Sequence, residues 1–216
     1  MNTKIKNKED LKQTLLNVRK SHRLIKEYQE RMLNLVFYIK EQFMMSQIRG
    51  ERRFCASLST YKSGYGKLKV WKEMWGWDFL YSYEFEYYFG IDSTRINGKE
   101  FSLSIFQISD TGHYKGKNID GANIKEFASS EDSESLLMFV FEIKKTEESW
   151  LWENEFENCK KKLLIESSET YQIKDNFFAI TYNLEDFLNQ DTVDNKLKDF
   201  SSRIESFCGL NILKKK

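Results

Sequence analysis

Between Glu9 and Phe43 the chain contains neither Gly nor Pro, and apolar residues return at alternating steps of four and three: Leu11, Leu15, Val18, Ile25, Met32, Val36, Ile39 and Phe43. Only His22 and Gln29 interrupt the series. Because an α-helix turns once per 3.6 residues, this spacing draws one stripe along a helix of about 36 residues, roughly 54 Å long. Asn7 is placed to cap its first turn, and Glu9 and Asp10 suit the positive end of the helix dipole. A stripe this long predicts a helix lying across a whole domain or a self-associating coil. Leu16, Leu24, Tyr28, Leu33 and Leu35 widen it, so the expectation is a helix packed on the chain's own sheet.

A second rhythm starts further on. From Trp75 to Phe89 every odd position is aromatic (Trp75, Trp77, Phe79, Tyr81, Tyr83, Phe85, Tyr87, Phe89), while Glu84 and Glu86 fall on even positions. A period of two is the mark of a strand, with the rings on one face and the glutamates on the other. Asn97-Gly98 is a turn signal, and Phe101–Ser109 reads as the paired strand. Leu136–Lys144 is apolar enough to be buried on both faces. Phe156, Cys159 and Leu163 suggest a short helix, Trp150 and Trp152 an extension of the sheet, and Phe177–Tyr182 a further strand. Asp191 is the expected N-cap of a closing helix with Val193, Leu197, Phe200, Ile204 and Phe207 on one face, ended by Gly209.

The fold class is therefore α+β: a long N-terminal helix on a mainly antiparallel, aromatic-rich sheet, with a C-terminal helix. The expected organisation is one domain over 1–216, with the long helix at 9–46, the sheet and one short helix at 75–182, and the closing helix at 191–208. Composition agrees: 40% apolar and 31% charged residues lie in the globular range, and 15% aromatics provide large buried surfaces. Proline is absent, so the turns rest on Gly, Asn and Asp.

No apolar run approaches the roughly 18 residues of a membrane span, and the first twelve residues lack the apolar stretch of a secretory signal. Cys55, Cys159 and Cys208 are odd in number and far apart, unlike a disulfide framework. The expected location is the cytoplasm. Net charge is +1, yet residues 1–53 carry 13 basic and 6 acidic side chains, leaving the remainder acidic. Arg19, Lys20, Arg23 and Lys26 are thereby candidate binding residues for a protein or for nucleic acid.

Several chemistries are excluded by missing motifs. There is no phosphate-cradling Gly-rich loop, no nucleophile elbow and no HExxH helix. His22 and His113 are too few for a His-rich metal centre, so no cofactor or metal is assigned on these grounds. One constellation remains. The strand at 136–144 closes in Glu142-Ile143-Lys144, and the strand before it runs out at Asp110. Carboxylates at neighbouring strand ends can hold a hard cation, and a nearby lysine can steady charge on a phosphate. In this respect, and in its order of a helix, three strands, a helix and a strand, the chain resembles the PD-(D/E)XK nuclease superfamily. The resemblance implies Asp110 and Glu142 as ligands of Mg2+ or Mn2+, Lys144 as the residue orienting water, and Glu41 as a further acid.

The first functional expectation is nonetheless a non-catalytic protein-interaction or regulatory module, with a protein partner and a homodimer through the N-terminal helix as one form of it. The alternatives are the metal-dependent nuclease and nucleic-acid binding through the basic helix.

Overall fold

Helix α1 spans Lys8–Gln42, and Asn7 starts it: the Asn7 side-chain oxygen accepts hydrogen bonds from the backbone N–H groups of Glu9 and Asp10, both at 2.9 Å. That cap serves two of the N–H donors that have no partner within the helix. The computed structural model describes residues 5, 7–43, 48–53, 82–89, 95–96, 99–117, 124–144, 160, 162–164, 170–174 and 177–214. The chain divides into two compact units, Met1–Ile39 and Lys40–Lys216. The first is the helix itself. Its stripe splits in two: Met32, Val36 and Ile39 are buried, whereas Leu11, Leu15, Val18 and Ile25 are 42–47% exposed. The expectation that the whole stripe is covered fails for its first half.

Among the described residues the second unit holds seven strands: β1 Arg49–Arg52, β2 Glu84–Tyr88, β3 Arg95–Ile96, β4 Lys99–Ile108, β5 Leu136–Lys144, β6 Thr170–Lys174 and β7 Phe177–Asn183. They form one sheet in the order β1-β2-β4-β5-β7-β6, with β3 paired to β4, and every described pairing is antiparallel. β5 starts with its apolar run at Leu136 and continues past Phe141 to Lys144. β6 gives no such signal, because Thr170–Lys174 is short and mixed in polarity. The expected turn at Asn97-Gly98, the rings before Ser82, and the readings at Trp150, Trp152, Phe156 and Cys159 lie outside the described residues.

Helix α2 covers Gln190–Cys208. Its cap is Asn189, not Asp191: Asn189 accepts from the Thr192 N–H at 3.1 Å while Thr192 Oγ1 accepts from the Asn189 N–H, also at 3.1 Å. This reciprocal pair satisfies two donors at once, which a lone Asp191 two residues later cannot do. Gly209 ends the helix at φ 72°, a left-handed conformation that disfavours any side chain.

Alternation along the central strands sorts the core into two faces. Phe139 on β5 and Phe178 on β7 meet Phe200 of α2 at ring separations of 4.9 and 6.3 Å, and Phe43 meets the same ring edge-on at 6.1 Å. The other face gathers Phe106, Ile108, Leu136, Met138, Val140, Phe177 and Ala179 with Tyr114, Leu163 and Leu164. Covering both faces is what removes water from β5 over Leu136–Phe141. Phe139 is fully buried and touches the rings of Tyr182, Phe187 and Phe200. Phe139→Ala is expected to cost about 3–5 kcal/mol in urea denaturation, through lost burial and the cavity left among those rings. A loss below about 1 kcal/mol would show that α2 does not rest on this face.

Candidate functional site

Strand β2 carries the chain's most unusual pair of side chains. Tyr83, Phe85, Tyr87 and Phe89 take one face, as the two-residue rhythm requires, and Glu84 and Glu86 take the other. Both glutamates are 0% exposed. An isolated carboxylate in such surroundings is too poorly solvated to persist, so each needs a cation and hydrogen-bond donors.

Each has both. Lys160 Nζ lies 2.9 Å from Glu84 Oε1, and the Tyr114 hydroxyl donates a short hydrogen bond to Glu84 Oε2. Lys160 is itself nearly buried and sits 5.5 Å from the centre of the Tyr114 ring. Arg53 Nε donates to Glu86 Oε2 at 2.5 Å, and Ser104 Oγ of β4 donates to Glu86 Oε1, also at 2.5 Å. The Arg53 guanidinium reaches Glu51 as well, at 3.7 Å. Two residues apart on one strand, the carboxylates thus bind the chain just after β1 and the helical residue Lys160.

The sheet's far side has a polar thread of its own. Tyr87 donates to Gln107 at 2.8 Å, and Gln107 donates to Ser109 at 3.0 Å. At the rim of β4 the His113 N–H donates to the Tyr83 hydroxyl at 3.0 Å. Burial pushes the Tyr83 phenol far above its ordinary range and raises Tyr88 to about 12. Burial also lowers His113, partly offset by the negative charge of Glu84. Glu86 is pushed up to about 7, chiefly by desolvation, against the lowering effect of Ser104 and Arg53.

Chemically this cluster ties elements together. Its carboxylates are neutralised by their own cations and have no exposed surface to offer a substrate. Among the described residues no group of three His, Cys, Asp or Glu side chains is placed to hold a metal ion. A groove of about 500 Å³ opens elsewhere, between β7 and α2. Its charges are spent on one another: Lys196 pairs with Asp186 at 2.8 Å, and Arg203 with Asp199 at 3.0 Å. Tyr182 closes the set by donating to Asp199 at 2.7 Å.

The residues singled out by the nuclease resemblance do not converge. Asp110 caps a short 3-10 turn at Thr111–His113 by accepting from the Gly112 N–H at 2.6 Å. Glu142 stands opposite Ser102 on β4, and Lys144 opposite Glu100. Asp110 follows Ile108, which stands opposite Leu136 at the other end of β5. Six residues of strand separate Ser102 from Ile108, about 20 Å at 3.3 Å per residue. The physical reason is antiparallel pairing: the C-terminal ends of two adjacent strands lie at opposite ends of the sheet. Glu41 lies near Lys40 and Lys214, at 3.8 and 3.9 Å. Arg19, Lys20, Arg23 and Lys26 are exposed on α1, with Lys26 held by Glu30 at 2.6 Å.

The sequence places Glu84 and Glu86 on the face away from the rings but does not mark Arg53, Ser104, Tyr114 or Lys160 as their partners. The one available signal was the placement of two acids at even positions in a strand whose odd positions are all aromatic. Nothing in the residues 76 positions downstream marks Lys160 as the partner of Glu84.

Residues 8–208 match the family model described as PM0109, and the chain belongs to that PM0109 family. No curated protein and no solved structure matches it.

Lys160→Met removes the cation and leaves Glu84 uncompensated in the core. The expected loss is about 3–5 kcal/mol of unfolding free energy, read by denaturant titration at neutral pH. Glu86 generates a pH effect of known sign. Its carboxyl titrates at about 7 in the fold against an ordinary value of 4.5, so its contribution to stability is complete below pH 4.5 and is lost as pH rises through 7. The size is about 3 kcal/mol. Glu86→Gln cannot ionise, so its stability should fall less than the parent's between pH 4.5 and 8. Parallel profiles for the two proteins would show that Glu86 does not titrate in this window.

Proposed function

We propose that this chain is a non-catalytic interaction module of the cytoplasm whose partner surface is the first half of α1. The observation that carries it is the split stripe. Four apolar side chains at heptad spacing, Leu11, Leu15, Val18 and Ile25, remain 42–47% exposed on a helix whose later turns bury Met32, Val36 and Ile39 to 1% or less. Leu16, at 37%, and Leu24, at 67%, add to the exposed apolar surface. Single exposed leucines are ordinary, but a row of them along one helix marks an interaction surface.

The basic residues support the same reading. Arg19, Arg23 and Lys26 are spaced four and three apart beside the stripe, where they flank a partner's apolar face. Lys26 already carries its counter-charge from Glu30. Among the described residues no helix is long and apolar enough to cross a membrane, so the stripe is read as meeting protein. Three widely spaced cysteines support a reducing compartment.

A partner surface, unlike a core surface, is dispensable for folding. Leu15→Ser combined with Val18→Ser should stay within about 0.5 kcal/mol of the parent in thermal unfolding of the dilute protein. Val36→Ser, at a fully buried position, should cost at least about 2 kcal/mol. Comparable losses at both places would sink the reading, because the first half of the stripe would then be part of the fold.

A further inference from the structure

We infer that the occupant of the exposed stripe is a second copy of this chain, its α1 running parallel and in register with the first; this rests on the interaction reading above and names its partner. The steps of four and three place Leu11, Val18 and Ile25 in one column of a heptad repeat and Leu15, His22 and Gln29 in the adjoining column. A strict seven-residue repeat drifts slowly around a straight helix, and two such helices keep their seams together by supercoiling. Over this half Lys12, Arg19 and Lys26 line one side of the seam and Thr14, Ser21 and Tyr28 the other, with the exposed Leu16 and Leu24 outside these flanks.

Those flanks select the orientation. In a parallel pair each side of the seam faces the opposite side of the partner, so Arg19 meets the partner's Thr14 and Lys26 meets the partner's Ser21. Cations then face hydroxyls. In an antiparallel pair like faces like, and the basic column would oppose itself. Lys12 and Lys26 are also tied back to acids of their own helix, at 3.0 Å to Glu9 and 2.6 Å to Glu30, which softens their field toward an identical neighbour.

The polar positions of the seam select the register. His22 and Gln29 share the column of Leu15, and in a parallel, in-register pair each meets its own counterpart. An amide carries both donor and acceptor, so two Gln29 side chains satisfy one another. A slip by one heptad would bring Gln29 against His22 on one side and strand a polar group against Leu15 on the other. Polar residues at single core positions of a coiled coil specify register in this way, at a cost in stability. With four apolar positions per helix the association is weak and concentration-dependent.

The test is sedimentation equilibrium on the full chain across a wide concentration range. The average mass should climb from the 25.9 kDa monomer to at least two chains. Leu15→Asp combined with Val18→Asp should hold it at the monomer throughout, with the thermal midpoint of the dilute protein unchanged. In a separate arm, Leu11→Cys is oxidised at high concentration and the disulfide located by mass spectrometry. A bond between the two substituted positions supports the parallel register, whereas bonds only to native cysteines overturn it. A parent chain monomeric at every concentration overturns the second-copy assignment and leaves the interaction reading standing, with an acidic-flanked helix as the occupant. Association that survives the double substitution overturns it too, by locating the contact elsewhere. If instead the double substitution unfolds the dilute chain, it is the interaction reading that falls.

Discussion

Two carboxylates buried on one strand set the terms for the rest of the sheet. Glu84 and Glu86 have no access to water, and each must find a cation and a hydroxyl within the fold. Glu84 finds Lys160 and Tyr114; Glu86 finds Arg53 and Ser104. The partners come from four separate stretches of chain, so those stretches cannot move independently of β2. An apolar pair in the same places would contribute burial without requiring particular partners. Charges demand specific ones, and a missing partner leaves an uncompensated ion in a medium that solvates it poorly.

This requirement explains why β1 holds its place. It is four residues long, lies at the edge of the sheet and pairs with β2 through Arg49–Arg52. Short edge strands owe little to their own ladder. The Arg53–Glu86 ion pair follows directly on β1, and Gly50 lets the Phe85 ring settle on the backbone: a Cβ there would stand 2.7 Å from the ring. On the apolar side the constraint is different. Phe139, Phe178 and Phe200 interlock β5, β7 and α2 by shape, and their energy depends on area and fit. One face of the sheet sets its charge pairs beside an apolar cluster, and the other packs its rings against α2.

The proposed interaction uses a different stretch of the chain, the opening turns of α1, where leucines, a valine and an isoleucine are exposed. Under the proposed reading, stability and interaction fall to different stretches of the chain.

What the sequence determined by itself is local and periodic. The four-three rhythm of α1 and its Asn7 cap, the shared face of Tyr83, Phe85, Tyr87 and Phe89, the bounds of β5 and the Gly209 stop are all properties of neighbouring residues, and each appears in the structure. Thr170–Lys174 was not legible as a strand because β6 is held by its pairing with β7, not by a pattern of its own. Asn189 was passed over for Asp191 because a capping box depends on two side chains answering each other. Asp110 and Glu142 looked close because both end strands; antiparallel pairing carries them to opposite ends. Only tertiary structure decided that Glu84 and Glu86 face a core and that Lys160 and Arg53 neutralise them, since a period of two says which residues share a face but not what covers it. The same holds for α1: spacing defines a stripe but does not tell that Val36 is buried and Leu15 exposed.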